Sequence, residues 1–150
     1  MRRKDREIFG TEIEEVLRKG EYGVLSMVCP DGSPYAVPLN YAWKDGVIYF
    51  HCAQAQGQKL ENISACPRVC FTIVGDTKVQ PEQFATLYES VIVQGTVREA
   101  GDKKAGLTAI LEKYSGGYMK EGIRYMNGVW EHTGVYEIVP GQITGKAKRV

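Results

Sequence analysis

Two tight-turn signals constrain this chain more than anything else in it. "CPDGSP" (Cys29 to Pro34) and "KDG" (Lys44 to Gly46) separate three runs rich in β-branched and aromatic residues: "YGVLSMV" from Tyr22, "YAVPLNYAW" from Tyr35 and "VIYFHCA" from Val47. Proline, aspartate and glycine supply the dihedrals of a tight reversal, and the runs have strand composition, so the spacing predicts three consecutive antiparallel strands joined by hairpins. Pro38 cannot donate to a ladder and marks an edge or a bulge within the second strand.

The flanking sequence adds helices without a regular βαβ alternation. Thr11 and Glu14 have capping-box spacing, and Ile13, Val16 and Leu17 share one face before Gly20. A short helix is expected from Gly57 to Ala65, stopped by Pro67, and "RVCFTIV" from Arg68 returns to strand. "GDTKVQPEQFAT" reads as a loop, and "LYESVIVQGTVREA" as the longest strand, with a bulge or bend at Gly95. Asp102 caps a helix carrying Leu107, Ile110 and Leu111 and ending near Tyr114, while "SGGYMKEGIRYMNG" reads as irregular or weakly helical. "TGVYEIV" from Thr133 is the last strand. About six strands with inserted helices predict a mainly β protein, a small antiparallel barrel whose closure removes exposed edges. At 150 residues, the whole of 1–150 is expected to be one domain with its own core.

Charge excludes several functions. Lysine and arginine number 19 against 18 acidic residues, so no global field exists to attract nucleic acid or an anionic membrane. "MRRKDR" at the start lacks an apolar segment, and no window approaches the roughly 20 apolar residues of a membrane span, so the expected location is cytoplasmic. Cys29, Cys52, Cys66 and Cys70 form no CxxC pair and read as reduced core thiols, with no metal site expected. Walker A, GxGxxG, GxSxG and HExxH motifs are all missing. A Cys-His nucleophile pair is disfavoured because Cys52 follows His51 directly and adjacent strand residues face opposite ways.

One stretch remains, "YFHCAQAQGQKLENI" (Tyr49 to Ile63), a strand that ends near His51 before a helix starting at Gly57, Gln58 and Lys59. Free N–H groups of a helix start, together with a lysine charge, suit a terminal phosphate. The same residues also suit a satisfied strand histidine and a solvated surface lysine. The residues alone leave both readings open.

The run from "GVLSMVCPDGSPYAVPLNYAWKDGVIYFHCAQAQGQKLENISACPRVCFTIV" through "YESVIVQGTVREA" and "GVYEIVPGQITGK" resembles the flavin-binding split-barrel superfamily of pyridoxamine 5'-phosphate oxidase relatives. More narrowly it is similar to the 5-nitroimidazole resistance (Nim-type) branch. The resemblance implies a six-stranded antiparallel Greek-key split barrel that forms a homodimer and binds FMN at the subunit interface. It implies that Pro38, Leu39, Asn40 and Tyr41 line the flavin ring. His51 and the Gly57, Gln58, Lys59 helix start would hold ribityl and phosphate, with Ser90 and Val91 near the cofactor. It also implies that His51 lies near the reacting centre and acts catalytically. Trp43 and Trp130, the latter from the partner subunit, suit aromatic walls and equally suit ordinary core or interface tryptophans. Arg68 would be a second phosphate charge. The C-terminal arginine and histidine pattern that classical oxidases use for pyridoxal phosphate is missing, so that activity is not carried over.

The implied function is a flavin-dependent reductase, an oxidoreductase passing electrons from NADH, NADPH or another donor to small acceptors such as nitroimidazoles. Two other readings stay open on the same barrel: an FMN-binding carrier or redox sensor without turnover, and a barrel that binds haem or another ligand.

Overall fold

The computed structural model describes residues 2–54 and 57–149, and among these the chain is built on one antiparallel sheet of eight strands. In chain order the elements are β1 (Glu7–Ile8), α1 (Thr11–Lys19), β2 (Gly23–Val28), β3 (Pro34–Leu39), β4 (Ala42–Lys44), β5 (Val47–Ala53), α2 (Gln58–Ala65), β6 (Arg68–Gln80), β7 (Ala85–Glu99), α3 (Lys103–Ser115), α4 (Met119–Val129) and β8 (Thr133–Lys148). The strands lie in the order β3-β2-β6-β7-β8-β5-β4, with β1 paired to β8.

The three hairpin strands form where the turn signals place them. Gly32 adopts φ 84° in the first turn, where the Cys29 amide donates to the Ser33 carbonyl at 2.8 Å. Asp45 and Gly46, at φ 50° and 78°, make the second reversal, the positive pair that suits a two-residue hairpin. The expected second strand is interrupted at Asn40 and Tyr41, so Pro38 does mark the last stretch of an edge strand, β3, before a separate β4.

Sheet curvature comes from two irregularities. Register slips between Gln94 and Gly95, which leaves Gly141 of β8 opposite no β7 residue. A Cβ on Gly95 would lie 2.4 Å from the Val139 carbonyl oxygen, so the close strand approach at the bend requires glycine. The second slip, between Val74 and Thr77, sets Gly75 and Asp76 against Glu89.

Inward residues of the curved sheet form the main core: Leu25, Met27, Phe50, Phe71, Ile73, Val91, Val93 and Ile138, closed at one end by Val16 and Leu17 of α1. A second cluster joins Leu107, Ala109 and Ile110 of α3 and Met126 of α4 to Tyr49 and Val135 on the outer face of β5 and β8. Gly106 permits that approach, since a Cβ there would meet Val135 at 2.8 Å and Tyr49 at 2.9 Å.

Several expectations are corrected. The strands number eight rather than six, because β1 and the short β4 are added. "GDTKVQPEQFAT" is a hairpin extension rather than a loop: β6 runs on to Gln80 and pairs with β7 around a turn at Pro81–Gln83. Pro140 does not end the last strand, because it falls at the register slip where its missing N–H is tolerated. Met119–Val129 is a helix with Met126 buried. Thr11 lies inside α1, and Gly10 takes the cap position without a side-chain hydrogen bond. Asp102 caps α3 as expected, accepting from the Ala105 amide at 2.9 Å. The four cysteines are free thiols and partly buried rather than interior.

Candidate functional site

The sheet ends on β3 at one side and β4 at the other, so the barrel has a seam. β4 pairs with β5 only at Val47, Ile48 and Tyr49. Among the described residues, Phe50 to Ala53 are laddered to β8 and to no other strand. A break in β-pairing is where a split barrel can take a ligand.

Around this seam the fold gathers most of the residues singled out in the sequence. His51 is exposed on the outer side of β5, beside Val135 of β8. Phe50, buried on the inner side, stacks on Tyr136 with ring centroids 5.6 Å apart, and the Lys59 ammonium lies 5.8 Å from its centroid. Partial desolvation, and after it the charge of Lys59, hold the His51 imidazole below the ordinary histidine value. Burial pushes the Cys52 thiol up while Lys59 pulls the other way. Lys59 is thus electrostatically coupled to both faces of the strand end. It makes no ion pair among the described residues, nor does Arg68 at the start of β6.

The start of α2 is open. Gly57 is exposed, and a Cβ there would meet nothing within 4 Å. Gln58 donates from Nε2 to Asn62 Oδ1 at 3.1 Å and lies 3.7 Å from the Cys29 sulfur. Asn62 is fully buried, and its Nδ2 has no hydrogen-bond partner among the described residues. A buried amide donor without an acceptor is costly unless a water or a ligand atom completes it. Asn62 was missed in the sequence. Its signal is a polar residue on the buried face of a short helix, next to Ile63.

β3 brings the other lip. Pro38 and Asn40 are exposed and Leu39 is half-buried. Tyr41 goes elsewhere: it is fully buried, edge-on to Phe71 at 5.2 Å, and its hydroxyl donates to the Leu17 carbonyl at 2.7 Å. Val91 is also fully buried. The side chains of Tyr41 and Val91 therefore fill the core and face no ligand surface.

Ser90 is half-buried on the outer face of β7, opposite Val74. Pro38, Val24, Thr72 and Ile92 lie in one register row across that face. Ser90 belongs to the neighbouring row, three strands from β3, or roughly 14 Å at ordinary strand spacing. Within one chain it is far from the seam. Trp130 packs on the α3–α4 cluster, where Lys103 donates to its carbonyl at 2.5 Å and lies 4.5 Å from its ring. Trp43 packs against the main core.

A flavin mononucleotide offers a phosphate, hydroxyls and a flat ring with amide-like edges. The donor set here matches those parts: a lysine without a counter-ion at a helix start, a strand end laddered on one side among the described residues, an uncrowded Gly57 and, through a buried water, the orphaned Asn62 N–H. The residues present fit the group.

Comparison with known proteins gives the same architecture. The family model described as pyridoxamine 5'-phosphate oxidase matches residues 10–147. Among solved structures, a candidate 5-nitroimidazole antibiotic resistance protein from Bacteroides thetaiotaomicron is 23% identical, with a TM-score of 0.75 over 94% of this chain and 86% of that one. A conserved protein from Mycobacterium tuberculosis is 22% identical, with a TM-score of 0.81 over 97% and 88%. A FAD-binding protein from Mesorhizobium loti is 22% identical, with a TM-score of 0.68 over 96% and 98%. No curated protein matches the chain. At these identities the solved structures establish a shared fold.

Proposed function

The chain belongs to the pyridoxamine 5'-phosphate oxidase family, and on that premise we propose that it is an FMN-binding flavoprotein that reduces small acceptors such as nitroimidazoles. The observation that carries this reading is the open seam with Lys59, free of any ion pair among the described residues, electrostatically coupled to His51. When bound, FMN supplies reversible two-electron chemistry.

The chain's own residues divide the remaining work. Lys59 Nζ and the backbone N–H groups of Gly57, Gln58 and Lys59 hold the phosphate, with Arg68 as a second charge. Pro38, Leu39 and Asn40 form the lip against the ring, and the enclosed Asn62 Nδ2 donates to a buried water beneath it. His51, exposed and held neutral at pH 7 by desolvation and Lys59, accepts or donates a hydrogen bond in that form; when protonated, it delivers a proton to the acceptor. NADH or NADPH is the proposed donor.

A homodimer completes the site. Tyr22, Val74 and Ile92, exposed by 56%, 52% and 40%, extend an apolar surface over the same outer face as Ser90 and Pro38. Packing that face on a second copy brings Ser90 to the partner's seam, which its own seam cannot reach. We place this single-domain protein in the cytoplasm; no helix among the described residues is long and apolar enough to cross a membrane.

The test is anaerobic stopped flow, mixing reduced FMN-loaded protein with a 5-nitroimidazole. Saturable reoxidation faster than that of free reduced FMN supports turnover. A rate no faster than free FMN, despite tight binding, leaves a flavin carrier or sensor instead.

A further inference from the structure

Lys113, near the end of α3, buries its ammonium without an ion pair among the described residues. Its Nζ is inaccessible and has no hydrogen-bond partner among the described residues. It lies 3.5 Å from the centroid of the Tyr41 ring and 5.2 Å from that of Tyr114. Tyr114, the next residue, is a clamp: its hydroxyl donates to the Glu21 carbonyl at 2.6 Å and accepts from the Tyr41 amide at 3.1 Å. The last turn of α3 therefore grips the break between β3 and β4, the segment that closes one lip of the seam.

We propose that the last turn of α3 is a pH-responsive latch on this strand break, seated most tightly when the Lys113 side chain is neutral. A lysine ammonium has three donors to satisfy, and a single aromatic face replaces only part of what water provides. The neutral amine loses far less on burial. Accordingly, desolvation lowers the Lys113 pKa from 10.5 to about 8.

The titratable groups facing it are Tyr41 from the strand break and Tyr114 from its own helix. Burial pushes Tyr114 up, and Tyr41 is desolvated further still, so neither supplies a negative charge in the relevant range. Glu21, after α1, meets the clamp through its carbonyl, and its carboxylate adds to the upward push on Tyr114. A single 3-10 turn, Gly116–Tyr118, joins this end of α3 to α4.

The sign follows from linkage. The folded pKa lies below the unfolded value, so the unfolded chain binds the extra proton between about pH 8 and 10.5, and the folded form gains relative stability as pH rises from 7. For a fully expressed shift, the unfolding constant falls about tenfold between pH 7 and 9; because Lys113 is only half-buried as a residue, about three- to tenfold is expected.

The experiment compares urea unfolding of the wild-type apoprotein with Lys113→Met at pH 7 and pH 9, alongside the protection factor of the Tyr41 amide. The wild type should gain that factor over the variant, and Tyr41 protection should rise with it. Parallel pH profiles would overturn the proposal. Should Lys113→Met fail to fold, NMR titration of the wild type labelled with ¹³C at lysine Cε decides: one lysine titrating near 8 supports the latch, and all lysines titrating above 10 refutes it. The latch stands or falls independently of FMN, because every measurement uses the apoprotein.

Discussion

Replacing Lys59 with alanine separates the phosphate contact from everything else the seam does. Lys59 is half-buried, makes no ion pair among the described residues, and has its ammonium 5.8 Å from the Phe50 centroid. Its removal therefore breaks no internal salt bridge, and the fold should be nearly unaffected. A charge-assisted hydrogen bond to phosphate contributes about 1.5–3 kcal/mol, so FMN should bind about ten- to a hundredfold more weakly. Riboflavin lacks the phosphate and should bind almost as it does to the wild type. A second signature comes from His51. Because the charge of Lys59 helps to lower the imidazole pKa, the alanine variant should titrate His51 at a higher pH than the wild type. Fluorescence titration reads both affinities, and NMR of the histidine reads the second signature. Equal losses for FMN and riboflavin would show general damage to the seam and refute the phosphate assignment.

Other perturbations test other parts of the account. His51→Ala should still bind FMN but slow the proton-coupled acceptor step about a hundred- to ten-thousandfold; a colourless variant whose reconstituted form reoxidises at the wild-type rate would make His51 a binding residue. The wild-type rate of that step should fall as pH rises through a value below the ordinary histidine pKa. Ile92→Glu, on the exposed outer face, should split the proposed dimer in sedimentation and weaken FMN with it, whereas an FMN-saturated monomer would contradict the proposed shared site. Gly95→Ala should cost about 1–3 kcal/mol, since its Cβ would press within 2.4 Å of a backbone oxygen that cannot easily move.

Glu89→Gln should lower stability by about 1–3 kcal/mol, read as a reduced melting temperature. Glu89 is buried between Lys19 and Arg149 and accepts from the Asp76 amide at 3.0 Å. Burial alone would raise its pKa, but the Lys19 ammonium and the Asp76 amide outweigh it, so the carboxyl sits below its ordinary value. The stability it provides is present above the unfolded glutamate pKa and is lost as pH falls through the lower folded one. A melting-temperature profile indistinguishable from that of the glutamine variant down to acidic pH would remove the network from the account.

The hairpins were legible because glycine, proline and aspartate dictate dihedrals locally, and α2 because Gly57 and Pro67 bound it. The β6–β7 extension was not, because Lys78, Gln80, Gln83 and Thr86 carry no apolar alternation once both faces of a two-stranded arm are solvated. α4 was obscured by Gly122 and Gly128, yet Met126 buries itself in the cluster formed with α3. At the site, His51 and Lys59 were legible as residue types beside a strand end and a helix start. Tyr41 was not, since nothing in "PLNY" tells which residues of a broken strand turn inward. That choice is made by Leu17, Phe71 and Tyr114, all remote in sequence. Asn62 and Lys113 escaped for the same reason: burial of a polar end is decided by tertiary neighbours.

The central claim is that FMN occupies the seam between β3 and the end of β5. The most direct test is titration of the labelled apoprotein with FMN while following the His51 imidazole and the Lys59 ammonium by NMR. Saturation at one FMN per chain, with both signals shifted and the Lys59 signal unmoved by riboflavin, is the expected result. Saturable binding that leaves His51 and Lys59 unperturbed, or no saturable binding at all, would contradict it.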